Sequence, residues 1–229
     1  MSNITEIINE LIQKVLPEVN KQLPEEIRKD GYDPIPNLVS GSKTLGSINL
    51  GICHAKVGVS YKVGDMCGLS SILIEKFTVE SVSGDLKSFS ANMDVAIEFR
   101  SDLSVRAGGG VKAGCGFIHK TVGLSGKGEV NGLSAKGSAV LHGGFNIESG
   151  EAVLQEIDFT NLKLHYSGAS VSIDGLGIFN EFLKPIENLI TGLLESLIVG
   201  KISDIVKDEV NHEFHNLLPI TVKIPIPVS

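Results

Sequence analysis

Tryptophan is absent and aromatic side chains make up only 5% of the 229 residues, so any core must be packed from aliphatic groups. No apolar run approaches the ~18 residues that a bilayer-spanning helix needs. Three cysteines, Cys53, Cys67 and Cys115, are too few and too scattered to suggest a disulfide framework. Their odd number leaves at least one thiol over, which favours a reducing compartment. Basic residues are outnumbered 20 to 27, a net charge of −7. That balance argues against a nucleic-acid partner, because no basic stripe is available for counterion release. It also argues against electrostatic attraction to anionic lipid, leaving transient membrane contact to apolar side chains. The opening Met-Ser-Asn-Ile-Thr-Glu has neither a basic n-region nor an apolar h-region. No secretory signal is therefore expected, and the chain reads as cytoplasmic or as a mature form with a new initiator Met.

What the chain does have is 42% hydrophobic residues arranged in two different rhythms, and 26 glycines. From Phe179 to Leu218 apolar residues follow a three-four spacing for about ten turns, predicting one long helix over 179–218 of roughly 60 Å. A stripe that long needs an equally long partner to cover it. A second amphipathic helix is predicted at the start, within 4–30, with Ile4, Ile7, Ile8, Leu11, Ile12, Val15, Leu16 and Val19 on one face. Asn3 is its expected cap, Pro17 is expected to bend or interrupt it, and Asp33-Pro34-Ile35-Pro36 ends it.

Between 45 and 173 the period becomes two, most clearly where Phe89, Ala91, Met93, Val95, Ile97 and Phe99 alternate with polar neighbours. Turn signals at Ser83-Gly84-Asp85, Gly108-Gly109-Gly110, Asn131-Gly132 and Ser149-Gly150 lie about twenty residues apart. They imply an antiparallel meander with strands of about eight to twelve residues. Half of the glycines fall between Gly108 and Gly150, consistent with strong coiling or close approach of another segment. In the tail, 219–228, the even-numbered Ile220, Val222, Ile224, Ile226 and Val228 share a face, while Pro219, Pro225 and Pro227 are all odd. That parity predicts an edge strand whose outer edge cannot pair further. The predicted fold is α+β over 1–229 as one domain: a long, highly curved antiparallel sheet rolled around the long helix, with the first helix alongside.

This order, together with several local patterns, resembles the tubular lipid-binding superfamily. That superfamily includes group-seven mite allergens, takeout and juvenile-hormone-binding proteins, and bactericidal/permeability-increasing proteins. The residues carrying the resemblance are the Ile4–Ile12 helix, Gly68-Leu69-Ser70 leading into Ile72–Val79, the Phe89–Phe99 strand, Ile157–Leu162, Ile173-Asp-Gly-Leu-Gly, and Phe182-Leu-Lys-Pro-Ile. The resemblance implies an apolar ligand held between sheet and long helix, no catalytic residues and no cofactor. It also implies an extracellular location, against which stand the missing signal sequence and the lack of a clear N-terminal disulfide pair.

The remaining motifs read as structure. His212 and His215, three apart, suit a metal less well than an interaction with the helix C-terminus, so no metal site is expected. Cys53 and His54, as strand neighbours, point to opposite faces, and the cysteines read as small buried residues. Gly108–Gly116 matches no phosphate-binding pattern. The apolar stripes are left as the functional surface. Binding of a hydrophobic small molecule such as a fatty acid, phospholipid, isoprenoid or pigment is expected at Phe89, Met93, Val95, Ile97, Phe99, Ile157 and Phe159 of the strands. From the helix come Phe179, Leu183, Ile186, Ile190 and Leu194. The alternative is a non-enzymatic interaction or scaffold module with the same fold and a filled core. Oligomeric state is not legible.

Overall fold

A computed structural model describes residues 4–49, 51–146 and 148–223. Helix α1 spans Ile4–Lys29 and buries Ile7, Ile8, Leu11, Ile12, Val15, Val19, Leu23 and Ile27. It continues through Pro17 and Pro24 without interruption. Ending it at Pro17 would expose Val19, Leu23 and Ile27 at about 1.5–3 kcal/mol each. The two interior prolines cost about 3 kcal/mol each, within the range those three side chains return. The helix stops instead at Gly31 (φ 78°), where Tyr32 N–H donates to the Ile27 carbonyl and Gly31 N–H to that of Arg28. This is a Schellman end, which needs a left-handed residue. Asn3, the expected cap, lies outside the described residues.

Ten strands follow in the order β1 (Val39–Asn49), β2 (His54–Cys67), β3 (Ile72–Gly84), β4 (Phe89–Phe99) and β5 (Leu103–Cys115). Then come β6 (Ile118–Asn131), β7 (Ser134–Asn146), β8 (Glu151–His165), β9 (Gly168–Ile173) and β10 (Ile220–Lys223). All pairings are antiparallel, in two five-stranded halves: β1-β2-β5-β6-β9 and β10-β8-β7-β4-β3. Taken together, β2–β3, β4–β5, β6–β7 and β8–β9 are four long strands, each broken by a corner at the same seam. Their neighbour order is that of a meander in both halves. The corners are stitched to one another. Arg100 N–H donates to the Ser71 carbonyl, Gly132 N–H to the Asp102 carboxylate and Ser167 N–H to the Asn131 carbonyl, at 2.9–3.1 Å. The result is a strongly curled antiparallel sheet.

Several sequence expectations shift in detail. The sheet begins at Val39 rather than at 45. Gly108-Gly109-Gly110 lies inside β5, and the true hairpin turn is Gly116-Phe117. Asn131-Gly132 is a seam corner rather than a hairpin. Strands β2 to β8 are 11–15 residues long, because hairpin turns and corners alternate. The glycines admit close neighbours, as expected: a side chain on Gly128 would meet Val105 at 2.8 Å and Leu194 of the long helix at 3.1 Å.

The helical stretch predicted over 179–218 is segmented. A 3-10 turn (Gly177–Phe182) leads into α2 (Leu183–Leu197), a π turn (Ile198–Ile202) and α3 (Ser203–Leu217). The helical backbone is continuous across these joins, so one long C-terminal helix results. The buried set steps by four: Ile186, Ile190, Leu194, Ile198, Ile202, Val206, Val210, Phe214. An α-helix turns in 3.6 residues, so such a stripe drifts about 40° per step, and the wider π turn takes up part of that drift. Strand β10 pairs with β8 at the sheet edge, with Val222 buried and Thr221 and Lys223 exposed, as parity predicted. Residues 224–228 lie outside the described residues.

Candidate functional site

The curled sheet has two helix-covered compartments. The half containing β3, β4, β7 and β8 is covered by α1 and α3. Asn20 of α1 bonds the Ile74 backbone in both directions (2.8 and 2.9 Å). Asn211 of α3 does the same to Phe159, accepting from its N–H at 2.7 Å and donating to its carbonyl at 3.4 Å. Each pinned residue adjoins a β-bulge, where the ladder leaves backbone groups free for a side-chain amide. Phe77, Phe159 and Phe214 fill this compartment with ring centroids 5.4–6.0 Å apart.

The other half, β1, β2, β5, β6 and β9, faces α2 and the 3-10 turn before it. Leu194 lies against Gly128 of β6, and Phe182 is the nearest neighbour of Gly46 on β1. The sheet contributes Ala55, Val57, Val59, Val105, Ala107, Val111, Ala113 and Leu124, all buried. The three buried polar side chains, Ser203, Glu209 and Glu213, all follow the π turn. Before that turn no polar side chain is fully buried among the described residues, and half-buried Glu187 of α2 accepts from the Ile173 N–H of β9 at 3.4 Å.

Ten of the twelve sequence-predicted site residues are buried, and Phe99 and Leu183 are half-buried against the same core. They do not form one group. Phe89, Met93, Val95, Ile97, Phe99, Ile157 and Phe159 belong to strands β4 and β8 of the α1/α3 compartment. Phe179, Leu183, Ile186, Ile190 and Leu194 face the other half. The sheet residues opposite them were not read from the sequence, because glycines interrupt the alternation through β5 and β6. The signal was the Ala-x-Val-x-Val rhythm at 55–59 and Val111-x-Ala113. In the described state this compartment is closed: Phe179, Ile186 and Ile190 are 0% exposed, covered on every side.

Glu209 and Glu213 form a buried acidic pair between α3 and α1. Glu209 Oε2 and Glu213 Oε1 accept no hydrogen bond. Burial raises both carboxyls above their usual range, and Asp30 (toward Glu209) and Glu26 (toward Glu213) raise them further. His215 stands instead at the surface, its Nε2 3.5 Å from Asp158 and 3.8 Å from Glu156. Its Nδ1–H donates to the Asn211 carbonyl at 2.7 Å. The three ligand-type atoms lie within 4.8 Å of one another, the only such cluster among the described residues. Glu156 and His215 are exposed and Asp158 is half-buried. His212 takes no part.

The cysteines depart from expectation. Cys53 and Cys115 form a disulfide, their Cα atoms 6.6 Å apart and 62 residues apart in sequence. Cys67 is free and exposed rather than buried. Pairing across the β2–β5 ladder, which sequence spacing cannot reveal, brings the bonded pair together.

No protein-family model matches the chain, and no curated protein sequence matches it. Among solved structures it is similar to a lipopolysaccharide binding protein, at 15% identity and a TM-score of 0.31 over 87% of the chain. The chain spans 39% of that protein's length. It is also similar to Takeout 1 of Epiphyas postvittana, at 10% identity and a TM-score of 0.39, covering 89% of this chain and 90% of that one. Both likenesses are distant.

Proposed function

We propose that the chain binds an apolar, lipid-like molecule, without catalysis, between the curled sheet and α2. The observation that carries this reading is the absence of buried polar side chains before the π turn among the described residues, in a compartment walled by alanine, valine, leucine and isoleucine. Such a wall offers dispersion and burial, about 25 cal/mol per Å² of ligand surface, and its fully buried side chains offer nothing to hydrogen-bond. Phe179, Leu183, Ile186, Ile190 and Leu194 form one wall, with Val57, Val105 and Val111 opposite. Because these side chains are packed together, a ligand enters only as α2 moves off the sheet, and the π turn is the natural pivot. Phe89, Met93, Val95, Ile97, Phe99, Ile157 and Phe159 then support the fold from the other compartment.

The near-complete burial favours a second reading, an interaction or scaffold module with a filled core. Native mass spectrometry after gentle purification, followed by organic extraction and a fluorescent fatty-acid uptake assay, separates the two. A stoichiometric apolar molecule or saturable uptake supports the binder. Protein free of extractable lipid that takes up no probe supports the scaffold.

A further inference from the structure

Among the described residues, four large apolar side chains stand exposed: Ile52 (81%), Phe117 (104%), Val199 (65%) and Ile178 (47%). Three of them gather at one end of the sheet. Ile52 lies in the β1–β2 turn and Phe117 in the β5–β6 turn, and the Cys53–Cys115 disulfide ties the two turns side by side. Ile178 shares a cleft with Ser47, Ile48 and Asn49 beside them, and Glu181 lines that cleft.

The strands that lead to this end are basic along their length, and part of that charge reaches the tip. Segments 34–64 and 103–128 supply β1, β2 as far as Gly64, β5, and β6 as far as Gly128, on four adjacent strands; Asp65 and Glu129 lie beyond them toward the seam, where Asp65 stands 3.9 Å from Arg106. The two segments contain seven basic residues (Lys43, Lys56, Lys62, Arg106, Lys112, Lys120, Lys127), His54 and His119, and no Asp or Glu. These segments therefore carry +7, while the rest carries 13 − 27 = −14. The overall −7, which at sequence level argued against anionic lipid, conceals this separation. Lys56, Lys112, His119 and Lys120 are exposed near the two turns.

We infer that this end of the sheet is a docking tip for an anionic lipid bilayer. Phe117 and Ile52 enter the interface, where acyl chains begin, while the lysines behind them meet phosphate and carboxylate headgroups. A bilayer surface has this layering, apolar beneath anionic, and the tip has the complementary order. The disulfide holds both turns at one level, so their apolar side chains insert together. The inference does not depend on a ligand under α2.

Co-sedimentation with vesicles tests it, using mixed phosphatidylserine and phosphatidylcholine at low salt, phosphatidylcholine alone, and heparin resin as a lipid-free polyanion. The wild-type chain is expected to bind the mixed vesicles, more weakly as salt rises, and phosphatidylcholine poorly. Ile52→Ser with Phe117→Ser should weaken binding about tenfold or more, as should Lys56→Glu, Lys112→Glu and Lys120→Glu together. All five side chains are exposed, so unchanged circular dichroism and melting will show the variants folded. Failure of the wild type to bind mixed vesicles overturns the inference. So does full binding by the Ile52/Phe117 variant. Heparin retention with vesicle binding insensitive to that variant would identify a general polyanion surface and overturn it equally.

Discussion

Replacing Glu213 with glutamine should stabilise the protein at neutral pH and do nothing in acid. Glu213 is 1% exposed, and its Oε1 accepts no hydrogen bond. Around it stand Glu18, Glu26 and Lys29 of α1 and His212 of α3; neighbouring Glu209 faces Asp30, Glu26, Asp208 and His212. Acids outnumber cations in that set, so the carboxylate form is opposed by both desolvation and repulsion. With the folded pKa above the ordinary 4.5, the folded state holds more protons than the unfolded state between those two values. Stability therefore falls as pH rises through that window. Below about 4.5 both states are protonated and the contribution is whole. Above the folded pKa it is lost. Glutamine imitates the protonated group, so Glu213→Gln should gain about 1–2 kcal/mol near pH 8. For a chain of this size that raises Tm by roughly 2–8 °C. Thermal melts of wild type, Glu213→Gln and the exposed control Glu10→Gln, at pH 4 and 8, make the comparison. Equal gains at both pH values, or a loss at pH 8, would refute the burial argument.

Other perturbations address the scaffold. Phe214→Ala removes the ring shared by β3, β8 and α3 and should cost about 3–5 kcal/mol in denaturant unfolding. Asn211→Ala orphans the Phe159 N–H and carbonyl and should cost about 1–3 kcal/mol. Asn20→Ala should cost a similar amount at Ile74, and the double variant should be additive, since the pins lie on different helices and strands. Replacing Cys53 and Cys115 by serine should lower stability by about 2–4 kcal/mol, read as the shift in denaturation midpoint. Thiol titration without reductant should find one reactive group per chain, Cys67, and Cys67→Ser should leave stability unchanged.

The two helices were legible in the sequence because their apolar stripes are long and uninterrupted, from Ile4 to Val19 and from Phe179 to Leu218. The β4 strand was legible because Phe89 to Phe99 alternates without a glycine or a bulge. Harder to read was everything decided by partners distant in sequence. Gly108-Gly109-Gly110 reads as a turn locally, yet ladders to β2 and β6 on both sides hold it extended. The Cys53–Cys115 bond spans 62 residues of sequence, and the nearness of the turns carrying Ile52 and Phe117 depends on the same register. Pro17 looked like a break because local propensity opposes helix there, and buried Val19, Leu23 and Ile27 overrule it. The strand residues expected as ligand walls are buried, apart from half-buried Phe99, but periodicity says only which face is apolar. It does not say which helix covers it, and here the seam divides β4 and β8 from α2.

A photoreactive fatty acid, cross-linked to the protein in solution and located by peptide mass spectrometry, tests binding under α2 most directly. The account predicts saturable labelling within 183–197 and on β2, β5 and β6, suppressed by unlabelled fatty acid. No uptake, or competed labelling confined to α3 and β8, would contradict it.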